Sequence, residues 1–407
     1  MISYGRQDID QTDIDAVVEV LRSDFITQGP AVPAFERAVC ALGSTKHAVA
    51  VNSATSALHV ACLALGLGPG DRFWSVPNTF VASANCGRYC GAEVDFVDID
   101  PLTWNLSVPM LKEKLVRARR ENRLPKVVVP VHFSGQPTEQ EAIWELAQEY
   151  GFKVLEDASH AIGASRHGEP VGSCRWSDIT VFSFHPVKII TTGEGGMAMT
   201  NDDALAERMV MLRSHGITRD PDRFRGPGCD PENAPTLAHS HPNTSRHHPE
   251  PWYYEQQVLG FNYRMTDIQA ALGSSQLARL NDYIRRRNAL ARRYDQALQG
   301  LPLQLPTVQT ENISSFHLYV VRLKHVAAVK THRQVFEELR LLGIGVNVHY
   351  MPVHLQPYYR ELGFAEGQYP EAEAHGASAM TLPLFSALTD QQQDQVVSAL
   401  HHVLADG

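Results

Sequence analysis

Apolar residues first recur at helical spacing in TDIDAVVEVLRSD, where Ile14, Val17, Val18 and Leu21 share one face behind Thr12, a residue suited to a helix N-cap. The spacing predicts an amphipathic helix that packs on something larger. From about residue 45 to 200 the pattern shortens to β-branched runs separated by helical stretches. The runs are HAVAVNS, RFWSVP, AEVDFVDID, KVVVPVHF, FKVLEDA, ITVFSFH and GMAMTND. Such alternation predicts an α/β architecture, with a mainly parallel central sheet flanked by crossover helices. Residues from about 216 to 259 are rich in Pro, Asp, Asn, Gly and His without apolar periodicity, which predicts a long loop insertion. Periodicity returns in MTDIQAALGSSQLARLNDYIRRRNALARRYDQAL, a long amphipathic helical region. Beyond it, strand patterns FHLYVVRLK and GVNVHY alternate with helical patterns RQVFEELRLLG and DQQQDQVVSALHHVL. The expected organisation is an N-terminal segment and large domain over 1–284 and a smaller C-terminal α+β domain over 285–407, without internal repeats.

Bulk properties narrow the function classes. A chain of 407 residues, 43% hydrophobic and 20% charged, supports a sizeable core and has the composition of ordinary soluble proteins. With 36 basic against 45 acidic residues the net charge is -9, so no overall field draws in a nucleic acid or an anionic membrane. The six cysteines lack the density of a secreted disulfide scaffold, and MISYGRQDID lacks the form of a signal peptide. No stretch of about 18 apolar residues occurs. The expected location is cytoplasmic, with neither nucleic acid nor membrane as partner.

The strongest chemical signal is ITVFSFHPVKIITTGEGGMAMTND, in which an apolar strand delivers Ser183, His185 and Lys188 into a turn ahead of a glycine-rich segment. A lysine held between buried strands is poorly solvated, which lowers its pKa and favours the free amine that forms a Schiff base. Some thirty residues earlier, FKVLEDASHAIGA ends a strand with Glu156, Asp157 and His160. A carboxylate at the C-terminal edge of a parallel strand faces the place where such sheets bind ligands. It is the group needed to keep a pyridine nitrogen protonated. His160 is expected to bond Asp157 or a ring oxygen, or else to be a satisfied core histidine. NSATSAL runs from a strand into a helix through Ser53, Ala54 and Thr55, a geometry that binds phosphate or simply caps the helix. Phe80, in SVPNTFVASAN, offers a ring to stack on a flat cofactor or to pack in the core. His239, His241, His247 and His248 lack disciplined ligand spacing, so no metal is expected. Cys86 and Cys90, four apart on a helix, fit burial as small apolar residues.

The ordered motifs NSATSAL, PNTFVASAN, LEDASHAIGA, SFHPVKIITTGEGG and GFNYRMTDIQAALG resemble the sugar aminotransferases of the DegT/DnrJ/EryC1/StrS family, over essentially the whole chain. Through SDFITQGP, RSHGITRD, PWYYEQQVLGFNYRMTD and VNVHYMPVH it resembles most the UDP-4-amino-4,6-dideoxy-N-acetyl-β-L-altrosamine transaminases of pseudaminic acid biosynthesis. The resemblance implies a fold type I transferase that uses pyridoxal 5'-phosphate (PLP) and moves an amino group from L-glutamate to the 4-ketone of a UDP-linked 4-keto-6-deoxy-N-acetylhexosamine. It implies that Lys188 carries the cofactor and serves as base, Asp157 pairs with the pyridinium nitrogen beside His160, Phe80 stacks on the ring, and Ala54, Thr55 and Ser183 bind the phosphate. Asn262 is implied to reach the cofactor phosphate of a neighbouring subunit, which requires a homodimer. Tyr4, Asp24, Phe25, Ile26, Thr27, His349 and Tyr350 match positions that line the substrate pocket. Arg264 suits the sugar diphosphate, or equally a structural ion pair. Lysine at 188 argues against the family's dehydratases, which carry histidine there. Aminotransferases acting at C3, on dTDP-linked sugars or on cyclitols, and a non-catalytic sugar-nucleotide binder, stay open.

Overall fold

The computed structural model describes residues 1–225, 251–324 and 330–405. Seven strands form its main sheet: β1 (His47–Val51), β2 (Arg72–Ser75), β3 (Glu93–Phe96), β4 (Val127–Val128), β5 (Lys153–Asp157), β6 (Ile179–Ser183) and β7 (Gly196–Thr200). Their spatial order is β1-β7-β6-β5-β4-β2-β3, and β3, β2, β4, β5 and β6 run parallel to one another as the alternation predicts. β7 departs from that expectation, pairing antiparallel with both β6 and β1. No helix separates β6 from β7, so the chain turns back through the 184–195 loop and sets Gly196 opposite Ser183; a parallel return would need a crossover. That loop carries Lys188.

Side-chain alternation gives the sheet two buried faces. Leu155, Val181 and Ala198 pack on one side against Ala57, Leu58 and Ala61 of the Ala54–Ala64 helix. Phe182 and Met197 face the other side, with Leu280 and Ile284. Each fully buried Val, Leu, Phe or Met among them contributes roughly 1.5–3 kcal/mol. Cys62, Cys86 and Cys90 sit in the first of these cores as small apolar residues.

The first predicted helix spans Gln11–Arg22, but its N-cap is Asp10 and not Thr12. The Asp10 carboxylate accepts from the N–H groups of Thr12 and Asp13, and Asp13 returns the bond to the Asp10 N–H. This reciprocal arrangement satisfies donors that one hydroxyl would leave open, and a cap of this kind stabilises by about 1 kcal/mol. The expected long helix after the insertion is two, Asp267–Ala278 and Leu280–Ala297, parted at Arg279. GVNVHY forms no strand beyond Gly345: Ile344–Gly345 pairs with Ile2–Ser3, and the chain then leaves the sheet to line a cavity, with one bridge from Asn347 to Thr381.

Leu303–Gln304, Tyr319–Leu323 and Ala379–Leu382 form a smaller antiparallel sheet with its own core against Leu290, Val335 and Val396. The Leu280–Ala297 helix enters both cores, and we propose the division at 284/285 within it. At the base of the insertion Ile217–Thr218 pairs with Glu255–Gln256. His239, His241, His247 and His248 lie outside the described residues. Among the described residues no helix is long and apolar enough to cross a membrane.

Candidate active site

The C-terminal ends of β5 and β6 open onto a cavity of about 580 Å³ that gathers residues far apart in the chain. Ala54, Thr55, Phe80, Asp157, Ser183 and Lys188 all line it, and so do Tyr4, His160, His349 and Tyr350. Asp24, Phe25, Ile26, Thr27, Asn262 and Arg264 do not. Thr27 bridges to Thr266, and the Arg264 guanidinium donates to Ser214 Oγ at 3.1 Å. Asn262 is exposed, and its carbonyl accepts from Asn52 Nδ2 at 3.4 Å.

Strand alternation decides between the two carboxylates of LEDA. Glu156 points away from the cavity into a buried polar cluster. It accepts from Gln140 Nε2 at 2.5 Å, Thr180 Oγ1 at 2.6 Å and Ser177 Oγ at 3.1 Å, with His132 Nε2 at 3.4 Å. Burial pushes its pKa up, and His132, Thr180 and Gln140 together draw it lower still. All its acceptor capacity is spent on protein, so it is structural. Asp157, one residue on, faces the cavity. Its Oδ2 accepts from Ser83 Oγ at 2.6 Å and its Oδ1 from the Ser159 N–H at 3.0 Å, which fixes the carboxylate plane.

His160 does not bond Asp157, contrary to one expectation. Its Nδ1 accepts from the Ser134 N–H at 3.3 Å and its Nε2 lies 3.2 Å from Tyr350 Oη. The two serine donors already hold Asp157, and the turn after β5 directs the imidazole toward Tyr350. With Nδ1 as acceptor the proton sits on Nε2 and is donated to Tyr350 Oη. Burial, then the charge of Lys188, holds His160 well below the usual histidine range. His349, whose Nδ1 is 2.7 Å from Thr381 Oγ1, is likewise pulled down by burial to about 3. Both imidazoles are therefore neutral at pH 7.

Lys188 is reached from this wall by a residue the sequence did not single out. His317, at the head of the Tyr319–Leu323 strand, places Nε2 at 3.5 Å from Lys188 Nζ. Burial, the larger effect, draws the Lys188 amine from 10.5 to about 8, while the Asp157 charge pulls it back up. At pH 7 about one amine in ten is then free, against about one in three thousand without the shift. Covalent capture of PLP by the apoenzyme is therefore expected to accelerate about tenfold per pH unit below 8 and to level off above it. Stopped-flow absorbance across pH 6–10 checks this, and a rate still climbing steeply to pH 10 contradicts it.

The residues present fit PLP. Ala54 and Thr55 stand at the first two positions of a helix capped by Ser53, where their N–H groups have no carbonyl a turn earlier to receive them and so favour a phosphate. Gly196 permits this closeness, since a Cβ there would lie 2.6 Å from Ala54 N. The Phe80 ring is 59% exposed on the cavity, as a stacking platform requires.

Comparison with known proteins agrees with this geometry. The DegT/DnrJ/EryC1/StrS aminotransferase family matches residues 7–401. The spore coat polysaccharide biosynthesis protein SpsC of Bacillus subtilis is 36% identical over 407 residues, covering 99% of this chain and 97% of its own. GDP-perosamine synthase of Caulobacter vibrioides is 36% identical over 406 residues, covering 99% and 98%. Among solved structures, PseC of Helicobacter pylori, an aminotransferase of pseudaminic acid biosynthesis, covers 100% of both chains with a TM-score of 0.87 and 29% identity. Spr1654 of Streptococcus pneumoniae, in its PLP form, covers 99% of this chain and 98% of its own with a TM-score of 0.84 and 28% identity. The chain belongs to the DegT/DnrJ/EryC1/StrS aminotransferase family, as a PLP-dependent sugar aminotransferase of the α/β transferase fold.

Proposed function

We propose that this enzyme transfers the amino group of L-glutamate to the 4-ketone of a UDP-linked 4-keto-6-deoxy-N-acetylhexosamine, giving a UDP-4-amino-4,6-dideoxy sugar, in the cytoplasm and as a homodimer. The observation that carries the chemistry is a lysine with its amine drawn to about 8, in one cavity with a fixed carboxylate and an open helix N-terminus. Likeness to PseC, an aminotransferase of pseudaminic acid biosynthesis, supports a sugar of that kind, and the UDP linkage rests on the resemblance of the sequence motifs.

When bound, PLP supplies the carbonyl for amine exchange and a protonated ring that takes up the electron pair released at the α-carbon. The chain's residues do the rest. Asp157 holds the proton on the pyridine nitrogen, Ala54, Thr55 and Ser183 anchor the phosphate, and Phe80 lies against the ring. Lys188, displaced by the incoming amine, takes the proton from the α-carbon of glutamate and in the second half-reaction delivers one to C4 of the sugar. Tyr4, His349 and Tyr350 wall the substrate side, and Asp24, Phe25, Ile26 and Thr27 would complete the substrate pocket.

Three features support the dimer. Ile14, Leu21, Phe25 and Ile26 leave apolar surface uncovered near one end of the chain. Trp252 and Leu259 do the same at the C-terminal end of the insertion. Asn262 and Arg264 miss their own chain's cavity, as residues serving a partner's site would. Native mass spectrometry is expected to give twice the chain mass; a monomer at micromolar concentration contradicts the shared site.

A GDP-linked sugar is a second reading, favoured by the 36% identity to GDP-perosamine synthase. The two separate on ¹⁵N-glutamate with UDP- and GDP-linked 4-keto-6-deoxy sugars. Label entering the UDP sugar at C4 supports the proposal, preferential labelling of the GDP sugar replaces it with the second, and labelling of neither removes both.

A further inference from the structure

Arg287, on the Leu280–Ala297 helix, is fully buried, and among the described residues no carboxylate pairs with it. Its Nη1 donates instead to three carbonyls, Phe316 at 3.1 Å, His317 at 3.3 Å and Leu384 at 3.0 Å. A buried cation facing only neutral acceptors is costly, so its place calls for a reason. The segment it grips is itself unusual. Phe316 has φ of 45°, in the left-handed region that bulky side chains avoid. On either side the turn is tied down: Asn288 Nδ2 donates to Ser314 O at 2.9 Å, and Ser315 Oγ donates to His160 O at 2.7 Å. Gly135 leaves room for this, since a Cβ there would lie 2.3 Å from Ser315 Oγ.

What the clamped turn presents is His317. Its Nε2 is the atom 3.5 Å from Lys188 Nζ, and its Nδ1 is buried without a partner. Burial, then the charge of Lys188, holds the ring neutral. A neutral ring accepts on Nε2 only with its proton on Nδ1.

We propose that His317 is a positioning residue for Lys188: its Nε2 accepts a hydrogen bond from the free amine and turns the nitrogen lone pair into the cavity, and Arg287 with the left-handed turn at Phe316 holds His317 there. The role matters whenever Lys188 is free, before cofactor is captured and after the amino donor displaces it. It rests on Lys188 being the cofactor-carrying amine.

The test mixes apoenzyme with PLP and follows both the rate of covalent attachment, confirmed by borohydride reduction and mass, and the amount attached at saturation. His317→Phe is expected to slow attachment at least tenfold without changing the final amount, and to lower kcat of the glutamate half-reaction at least tenfold with KM within twofold. His317→Gln, whose amide oxygen reaches the place of Nε2, recovers most of both rates. Arg287→Lys, which cannot span three carbonyls, slows attachment in the same direction, and if it does not fold, the two His317 variants decide. Rates within twofold of wild type in His317→Phe, or equal impairment of both His317 variants, overturn the proposal. Lys188→Ala is the separate control: covalent attachment in that variant shows that another residue carries the cofactor, whatever His317 does.

Discussion

Lys188→Ala retains PLP without a covalent link and loses amino transfer in both directions by on the order of 10⁴-fold or more. A positioned general base contributes typically 10²–10⁴-fold, and here the same side chain also supplies the covalent attachment, so both contributions go together. Among the residues lining the cavity no second lysine is present to replace it. His160, His317 and His349 are neutral bases there, but burial holds each below the usual histidine range, which makes them weak proton acceptors. The fold should survive, because removing a desolvated amine relieves a cost. Single-turnover rates with glutamate, alongside thermal unfolding, check this; a variant within a hundredfold of wild type places the base elsewhere.

Asp157→Asn is expected to cost about 10²–10³-fold in kcat, the size of a single well-placed electrostatic contact in an active site. Asparagine keeps an oxygen for the Ser159 N–H and an amide group for the Ser83 hydroxyl, so the geometry persists while the charge disappears. What is lost is the anion proposed to keep the pyridine nitrogen protonated. A second consequence has a defined sign. The Asp157 charge raises the Lys188 pKa against burial, so removing it moves the midpoint of cofactor capture below about 8. A loss under tenfold, or a midpoint that moves upward, contradicts the assigned role.

Most of the main sheet was legible because its strands are short apolar runs bounded by turn residues, the form that strands buried on both faces take. β7 has the same pattern, but direction depends on what connects two strands, and the 184–195 loop carries no periodic signature of its own. Thr12 looked like a cap since hydroxyls commonly are; the reciprocal bonds between Asp10 and Asp13 needed the backbone to be seen. The first helix packs on Asp267–Ala278 through buried Asp13, which accepts from Ser275 and Gln276, while Ile14 and Leu21 of its apolar stripe stay exposed within one chain. Amphipathicity tells which face seeks cover and not which molecule provides it.

The cavity residues were found where a motif concentrates them in one strand end, as with Asp157 and Lys188. Choosing Asp157 over Glu156 follows from alternation, which sends neighbours to opposite faces of β5. His317 was missed for the opposite reason. It lies 129 residues from Lys188, inside what reads as an ordinary strand, and only the left-handed turn at Phe316 and the buried Arg287 bring it near. No local spacing encodes such a contact.

The most direct test of the account is one absorbance series on the PLP-loaded wild-type enzyme. L-glutamate is added first and then UDP-4-keto-6-deoxy-N-acetylhexosamine. The account predicts that glutamate converts the covalently held cofactor to the pyridoxamine form and that the keto sugar restores it, with 2-oxoglutarate and an amino sugar formed in equal amounts. A cofactor that glutamate leaves unchanged would contradict the account.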